Sequence, residues 1–289
     1  MAGTATNLPV LPALMVEDAV RAALLEDWGR AGDITAQATL SPETGARAVI
    51  AARRPGRLSG LDLAAAAFRL SDPSIEVERL ARDGDRLEPG DVVMRVSGPA
   101  RGMLSAERVA LNYLGHLSGV ATATAAFADR IAHTKAHIVC TRKTTPGLRA
   151  FEKYAVRCGG GANHRFGLDD AILIKDNHIA VAGGVRDAIE ASRRFAGHLV
   201  RIEVEVDTLD QLREALQARP DVVMLDNMPP ETLREAVAIA GGRVVLEASG
   251  GVTLDTVAAI AETGVDLISV GWITHSAPVL DLGLDIEIG

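Results

Sequence analysis

The chain has 289 residues, which is enough to bury a sizeable core and to form one large or two ordinary domains. Its formal net charge of −8 argues against a general nucleic-acid binder, because such proteins carry a basic face. Aromatic residues make up only 3% of the chain, so the core consists of small branched residues, which suit parallel strands packed under helices. The two cysteines, Cys140 and Cys158, form neither a disulfide framework nor a CxxC metal motif, and we interpret both as structural.

No targeting or membrane-spanning segment is expected. The first basic residue is Arg21, so the start lacks the charged region of a secretory signal. Residues 109–128 contain no Asp, Glu, Lys or Arg and are nominally long enough to cross a bilayer. They do contain Asn112, Tyr113 and His116, and polar groups are rare in lipid-spanning helices. We therefore expect a buried helix or helix pair here, and a cytoplasmic protein.

The N-terminal part, residues 17 to about 100, mixes a helical pattern with short strands. Apolar residues recur at helical spacing at Val20, Ala23, Leu24 and Trp28. Turn-forming Asp, Gly and Pro residues at 83–85 and 89–91 precede a short apolar run at 92–96, which is typical of hairpins. We interpret this part as a scaffold.

From residue 137 onward, apolar runs alternate with helical patterns. The predicted strands are residues 137–140, 171–174, 200–206, 222–225, 244–246 and 267–270. Residues 209–218 and 229–240 have helical patterning, and a spacing of about 20 to 30 residues per unit is that of βα repeats. The units are too few for a complete eight-stranded barrel, so we predict an open, incomplete α/β barrel.

Polar residues accompany each of these strands. Those that follow a strand are Thr141, Arg142, Lys143, Lys175, Asp176, Asn177, His178, Asp226, Asn227, residues 247–251 and Gly271. In the third strand, Glu203, Glu205 and Asp207 alternate with apolar residues and share one face. Because the carboxyl ends of the strands of a βα barrel converge on one mouth, where active sites lie, six polar strand ends together predict a site.

Residues 141–165 are strongly basic, since they hold six Arg or Lys and one acid, Glu152. A cationic patch in an acidic protein indicates a small polyanionic ligand, and the guanidinium of arginine can bind a carboxylate or phosphate through two hydrogen bonds. A solvated surface of ion pairs is the alternative. It is disfavoured because acids to pair with are missing locally, and because Arg142 and Lys143 directly follow a strand.

Glu205 and Asp226 bring the opposite charge to the same mouth. Hard oxygen ligands beside a phosphate site predict Mg²⁺, held by these two carboxylates together with substrate oxygens and water. The alternative is that the acids only form ion pairs with Lys175 and Arg142, as structural networks in clefts do. The alternation along the third strand leaves open whether Glu203 or Glu205 dominates.

Two glycine-containing loops are candidate phosphate sites. Residues 249–251 follow a strand and precede a helix predicted from Thr253, whose first backbone N–H groups would bind phosphate. Residues 270–271 end the next strand, and paired late-strand loops are a recurrent phosphate site in barrels. The chain contains neither GxxxxGK[ST] nor GxGxxG, so nothing supports a P-loop or Rossmann interpretation.

Together these segments resemble the quinolinate phosphoribosyltransferase family. The matching segments are residues 141–149 (TRKTTPGLR), 152–156 (EKYAV), 159–161 (GGG), 163–165 (NHR), 173–178 (LIKDNH), 203–206 (EVEV), 225–227 (LDN), 247–251 (EASGG) and 274–276 (THS). Residues 26–27 and 32–35 extend the match to nearly the whole chain. A homologue linked to molybdenum transport is the nearest alternative, and the intact segments 141–149 and 163–168 favour the biosynthetic family.

The resemblance implies a homodimer of two-domain α/β subunits. Residues 1–116 would form an N-terminal α/β sandwich domain, to which residues 275–289 return, and residues 117–274 would form the open α/β barrel. The implied activity transfers phosphoribosyl from phosphoribosyl pyrophosphate to quinolinate with loss of CO₂. Its products are nicotinate mononucleotide and pyrophosphate, for NAD biosynthesis.

The resemblance also assigns the site residues. The carboxylates of quinolinate would meet Arg142, His164, Arg165 and Lys175, joined in trans by Arg108 from the neighbouring subunit. The phosphates would be held by Lys143, Lys175, Ser249, Gly250, Gly251, Val270, Gly271 and Trp272, while Glu205 and Asp226 would position Mg²⁺ and the ribose. We count Lys143, Lys175, Glu205 and Asp226 as catalytic, and add Thr141 and His275 to the substrate-binding residues.

Two other functions are weighed. An aldolase-type barrel would use Lys175 to form a Schiff base, which borohydride trapping with a carbonyl substrate would detect. A non-enzymatic anion-binding protein would bind phosphate tightly without turnover. The polar residues in register at the strand ends favour an enzyme over the second of these.

Overall fold

The computed structural model describes residues 8–287, and the chain divides into two compact units. The first unit comprises the residues up to 123, residues 151–160 and those from 276 onward, and the second comprises residues 124–150 and 161–275. The domain limits at 116/117 and 274/275 stay a prediction. Two compact units do not show which part of the chain folds by itself.

The elements alternate between helix and strand over most of the chain. The helices are α1 (Ala13–Trp28), α2 (Ile34–Thr39), α3 (Leu61–Ser71), α4 (Ala100–Arg130), α5 (Arg149–Cys158), α6 (Asp176–Ala182), α7 (Val185–Phe195), α8 (Leu209–Ala218), α9 (Pro230–Ala240), α10 (Val257–Ala261) and α11 (Trp272–His275). The strands are β1 (Gly45–Ala52), β2 (Gly56–Arg57), β3 (Glu76–Arg79), β4 (Arg86–Leu87), β5 (Val92–Pro99), β6 (His137–Val139), β7 (Ile172–Ile174), β8 (Ile202–Val206), β9 (Val222–Asp226), β10 (Val245–Ser249), β11 (Leu267–Ser269) and β12 (Leu282–Glu287).

The first unit contains an antiparallel sheet with the strand order β12-β1-β5-β3. Helix α1 packs against α3, and the apolar side chains of Leu63, Phe68, Val93 and Met94 are fully buried. The predicted mixture of helix and short strands is thus present, and the apolar run at 92–96 lies in β5.

The uncharged segment 109–128 lies within the single 31-residue helix α4 rather than a helix pair. None of the helices in residues 8–287 combines the length and the apolar character that a membrane crossing requires.

The second unit contains a six-stranded parallel sheet with the order β6-β11-β10-β9-β8-β7. Strands β6 and β7 are the two ends of this order, so the sheet is open. The six strands correspond to the six predicted apolar runs, α8 has its predicted bounds, and α9 begins one residue after its predicted start. The predicted α/β class with an open barrel is confirmed.

Two local predictions in the second unit are wrong. The fifth strand was expected at 244–246, but β10 continues to Ser249, so Glu247 lies inside the strand rather than after it. The helix expected from Thr253 begins only at Val257. The backbone N–H of Thr253 donates to Thr256 Oγ1 at 2.9 Å, and this side-chain hydrogen bond supports a turn in place of the first helical turn.

Candidate active site

A cavity of about 770 Å³ lies at the carboxyl ends of the six parallel strands. Fifteen of the sixteen predicted site residues line it: Thr141, Arg142, Lys143, His164, Arg165, Lys175, Glu205, Asp226, Ser249, Gly250, Gly251, Val270, Gly271, Trp272 and His275. The sixteenth, Arg108, is an exposed residue of α4 in the first unit. The cavity exists because parallel strands bring their last residues to one edge of the sheet. The roles of these residues stay predictions.

Two arginines on one side of the cavity carry unused hydrogen-bonding capacity. The Nε atoms of Arg142 and Arg165 are buried and have no hydrogen-bond partner among residues 8–287. Burial, and then the neighbouring charge of Arg142, lower the pKa of the Arg165 guanidinium. A buried cation and an unsatisfied N–H group are both costly, and a bound anion would offset both costs.

Behind this basic side lies a buried group of one histidine and two acids. His164 Nε2 and Glu203 Oε2 are 2.8 Å apart, and only about a tenth of each side chain is exposed. Burial, and then the charge of Glu203, raise the pKa of Glu247 to about 8. The Oε1 atoms of both acids lack a partner among the described residues. A proton held by Glu247 can satisfy one of these oxygens, because a neutral carboxyl group donates a hydrogen bond.

These three residues offer ligand atoms within 4.8 Å of one another, which is the spacing of a possible metal site. The proximity of Glu203 also adds to the effect of burial, which is the larger cause of the raised pKa of Glu247. Glu247 was expected among the polar strand ends but not among the substrate-binding residues; Glu247 and Ser249 alternate along β10 and both face the cavity.

Also in the cavity lining, Lys175 Nζ lies 2.7 Å from Glu205 Oε2. The Glu205 side chain is 12% exposed and that of Lys175 is 48% exposed, so the lysine remains accessible. The ion pair considered as the alternative for Lys175 is therefore observed. It also occupies the amine that the aldolase hypothesis requires as a nucleophile.

The glycine-containing loops at 249–251 and 270–271 bring main-chain atoms to the cavity. Gly250 and Gly251 both have positive φ, of 98° and 59°, which other L-residues rarely adopt. A Cβ added to Gly271 would lie 3.1 Å from Lys143 Cδ, so glycine lets the loop after β11 approach Lys143 closely. Because α10 begins at Val257, phosphate contacts from this segment would come from the N–H groups of the 249–251 loop rather than from the first turn of a helix at Thr253.

The basic segment 141–165 does not act as one patch. Of its six Arg and Lys residues, only Arg142, Lys143 and Arg165 line the cavity. Lys153 lies on α5 in the first unit and is fully buried, and Arg149 donates to Thr144 Oγ1 and to the carbonyl of Phe166. Charge density along the sequence cannot distinguish the basic residues that line the cavity from those that do not. The turn and the helix within the segment direct their side chains to different parts of the protein.

Several cavity residues were not singled out as site residues from the sequence. They are Leu173, Met224, Asn227, Glu247, Val252 and Ser269. Apolar residues give no chemical signal, whereas Asn227 was visible as a polar strand end. His178 has a local role, since its Nδ1 accepts the N–H of Lys175 at 2.9 Å at the start of α6. Both cysteines are free and buried, and burial raises the pKa of the Cys158 thiol to about 12, consistent with a structural role.

Two family models together match most of the chain. The model of the quinolinate phosphoribosyl transferase C-terminal domain matches residues 120–285, and that of the N-terminal domain matches residues 33–118. The chain belongs to the quinolinate phosphoribosyl transferase family.

Individual members of this family are similar over nearly their whole length. A probable carboxylating nicotinate-nucleotide pyrophosphorylase of Bacillus subtilis is 46% identical, with 91% of each chain covered. The carboxylating nicotinate-nucleotide pyrophosphorylase of Mycobacterium leprae is also 46% identical, over 93% of this chain and 96% of the relative. The solved structure of the nicotinate-nucleotide pyrophosphorylase from Francisella tularensis is 40% identical, covers 99% of this chain and superimposes with a TM-score of 0.93.

Proposed function

We propose that the chain is a pentosyltransferase that moves phosphoribosyl from phosphoribosyl pyrophosphate to quinolinate, with release of pyrophosphate and CO₂. Family membership supports this activity. The observation that carries it in the structure is the pair of buried Nε atoms of Arg142 and Arg165, which need an anion that reaches both guanidinium groups.

The basic side of the cavity fits the two carboxylates of quinolinate. Arg142, Arg165 and Lys175 supply the charge, and His164 is held against Glu203 at the edge of this group. Guanidinium groups form paired hydrogen bonds with carboxylates, so two arginines can fix both the position and the plane of a dicarboxylate ring.

The other side fits the phosphoribosyl donor. Lys143 and Lys175 provide point charges, and the loops at 249–251 and 270–272 provide backbone N–H groups. The position of the two acids supports this orientation of the phosphoribosyl donor. Glu205 and Asp226 line the same cavity, and the ribose would lie there between the phosphates and the ring.

Glu205 and Asp226 also suit Mg²⁺, which takes one or two carboxylates and completes its shell with substrate oxygens and water. Both acids line the cavity together with the 249–251 loop. Their carboxylates therefore fit an Mg²⁺ ion whose other ligands come from the substrate and from water. When bound, the ion neutralises the charge of the pyrophosphate group. We propose Mg²⁺ as the required metal.

The reaction breaks the bond between ribose C1 and pyrophosphate, and the bonding electron pair leaves with pyrophosphate. C1 then carries oxocarbenium character, which the carboxylates of Glu205 and Asp226 stabilise. The ring nitrogen of quinolinate attacks C1, the 2-carboxylate leaves as CO₂, and the ring carbon takes up a proton. The protein contributes mainly orientation and preorganised charge.

We further propose a cytoplasmic homodimer in which Arg108 of each subunit completes the quinolinate site of the other. Family resemblance supports this assignment, as does the exposed position of Arg108 on α4. The guanidinium of Arg108 would be a third cation beside Arg142 and Arg165, and the two carboxylates of quinolinate offer enough oxygens to accept hydrogen bonds from all three.

Incubation with quinolinate, phosphoribosyl pyrophosphate and Mg²⁺ tests the proposed function. We expect nicotinate mononucleotide and CO₂, with nicotinate a poor substrate because one carboxylate cannot use both arginines. Arg165→Ala should abolish quinolinate binding, whereas Arg201→Ala, which removes an exposed arginine paired with Asp221, should not. Equal turnover of nicotinate would show that the substrate assignment is wrong.

A further inference from the structure

Asn227 is one of only two non-glycine residues with positive φ in the part of the chain that the structure describes, the other being Arg219. It directly follows β9, and its φ of 53° lies in the left-handed region. Asparagine tolerates this region better than most residues, but glycine adopts it without steric cost. The backbone alone therefore does not explain an asparagine at this position.

The side chain of Asn227 bridges the ends of two strands. Its Nδ2 donates to Asp226 Oδ2 at 2.6 Å, although consecutive residues of a strand normally point to opposite faces. The left-handed turn brings the two side chains together. The backbone N–H of Asn227 donates to the carbonyl of Ser249 at 2.9 Å, which ties the end of β9 to the end of β10.

Gly250 packs directly on the same amide. A Cβ at Gly250 would lie 2.1 Å from Asn227 Oδ1 and 2.6 Å from its Cγ, distances at which no side chain fits. The amide of Asn227 is therefore held between the Asp226 carboxylate and the backbone of the 249–251 loop. Any shift of the amide changes the carboxylate and the loop together.

We propose that Asn227 is a positioning residue for the phosphoribosyl half of the site. It sets the orientation of the Asp226 carboxylate and, through Gly250, the position of the 249–251 loop, so that both meet one phosphoribosyl pyrophosphate molecule. This inference deepens the proposed function and rests on it. The hydrogen bonds described for Asn227 go to Asp226 and Ser249, not to Arg142 or Arg165 on the basic side of the cavity.

Asn227→Gly is the decisive variant, because glycine keeps the left-handed backbone and removes only the amide. We expect kcat/KM for phosphoribosyl pyrophosphate to fall about tenfold or more, with the dissociation constant of quinolinate within about twofold of wild type and the thermal midpoint unchanged. Arg219→Gly is the matched control, since it relieves the other left-handed residue at the end of α8. It should leave kcat/KM for phosphoribosyl pyrophosphate and the dissociation constant of quinolinate unchanged, and it should not lower the thermal midpoint.

Asn227→Asp provides a second variant that keeps the size of the side chain. An ionised aspartate cannot donate a hydrogen bond to Asp226 and repels it. The same defect in kcat/KM for phosphoribosyl pyrophosphate is therefore expected, even if Asn227→Gly does not fold. Wild-type donor kinetics in either folded variant would overturn the inference. So would equal losses in quinolinate affinity, donor kinetics and thermal midpoint, which would indicate a general structural role.

Calorimetric binding of phosphoribosyl pyrophosphate with Mg²⁺ separates this inference from the proposed function. If wild type binds the donor but makes no nicotinate mononucleotide, the proposed function fails. Weaker donor binding by Asn227→Gly than by wild type would then still support the positioning role, and equal binding would overturn it.

Discussion

Glu247 shows how burial sets the charge of a single side chain. It is 1% exposed on β10, and burial together with the charge of Glu203 raises its pKa to about 8 from the usual 4.5. The folded protein therefore retains a proton on Glu247 at neutral pH, when an unfolded chain has released it. Folding takes up a proton across this interval, which links stability to pH.

We predict that the free energy of unfolding falls as pH rises from about 4.5 to about 8, because the folded state binds more protons there than the unfolded state. Glu247→Gln keeps the neutral form at every pH, so it should remove a decrease of up to a few kcal/mol over this interval. Urea denaturation at several pH values measures the slope. Glu235→Gln, an exposed substitution on α9, is the control, and an unchanged slope in Glu247→Gln would contradict the assignment.

Glu205 and Asp226 line the cavity in which we propose that the reaction takes place. Glu205→Ala and Asp226→Ala should each lower kcat by about 100-fold or more, because each removes preorganised charge next to the developing oxocarbenium. Quinolinate binding, measured by calorimetry, should remain nearly intact, since the arginines are untouched. Asp207→Ala removes an exposed acid just after β8 and should have no effect. Loss of quinolinate binding in the first two variants would assign these acids a structural role.

The βα unit formed by β8 and α8 contains a proposed catalytic residue and, a few positions later, a structural one. Glu205 faces the cavity from β8, and α8 begins four residues later, at Leu209, with a reciprocal capping box. Thr208 Oγ1 accepts the N–H of Gln211 at 3.2 Å, and Gln211 Oε1 accepts the N–H of Thr208 at 3.1 Å. The cap satisfies N–H groups that the first helical turn leaves without partners.

Thr208→Ala should lower the free energy of unfolding by about 1 kcal/mol, as loss of a threonine N-cap typically does. Michaelis constants should not change, because the cap lies outside the cavity lining. Denaturant unfolding measures the effect, and Gln217→Ala, an exposed substitution near the end of the same helix, is the control. If Gln217→Ala is equally destabilising, the loss is a general effect of shortening side chains on α8 rather than the loss of the cap.

The proposed homodimer allows a test of whether the site is shared between subunits. If Arg108 acts in trans, Arg108→Ala and Lys143→Ala homodimers should each be nearly inactive, because every site lacks one cation. A mixed dimer contains one site with both wild-type residues, so it should regain up to half of the wild-type activity. Co-expression with two different affinity tags yields the mixed dimer for assay. Mixed dimers as inactive as both parents would mean that Arg108 acts within its own subunit or only structurally.

Hydrophobic periodicity along the sequence predicted the six parallel strands, helix α8 and the polar residues at the strand ends. These features depend on near neighbours: an apolar run forms a buried strand, and the residues after it reach the mouth because parallel strands end at one edge. The strand ends among the site residues could therefore be expected at one mouth from the sequence alone, whereas the resemblance implied the others, such as His164, Trp272 and His275. The class of ligand followed from their charge, and its identity from the family resemblance.

Only the tertiary structure decided which side chains meet. His164 and Glu203 are 39 positions apart, and β10 lies between β9 and β11 through pairings that leave no local trace. The neutral state of Glu247 depends on burial and on the charge of Glu203, so its residue type could not reveal it. The bridge from Asn227 to Asp226 and Gly250 likewise requires a left-handed turn beside a neighbouring strand. Periodicity records which face of an element is apolar, whereas charge states and contacts arise when distant segments enclose the same space.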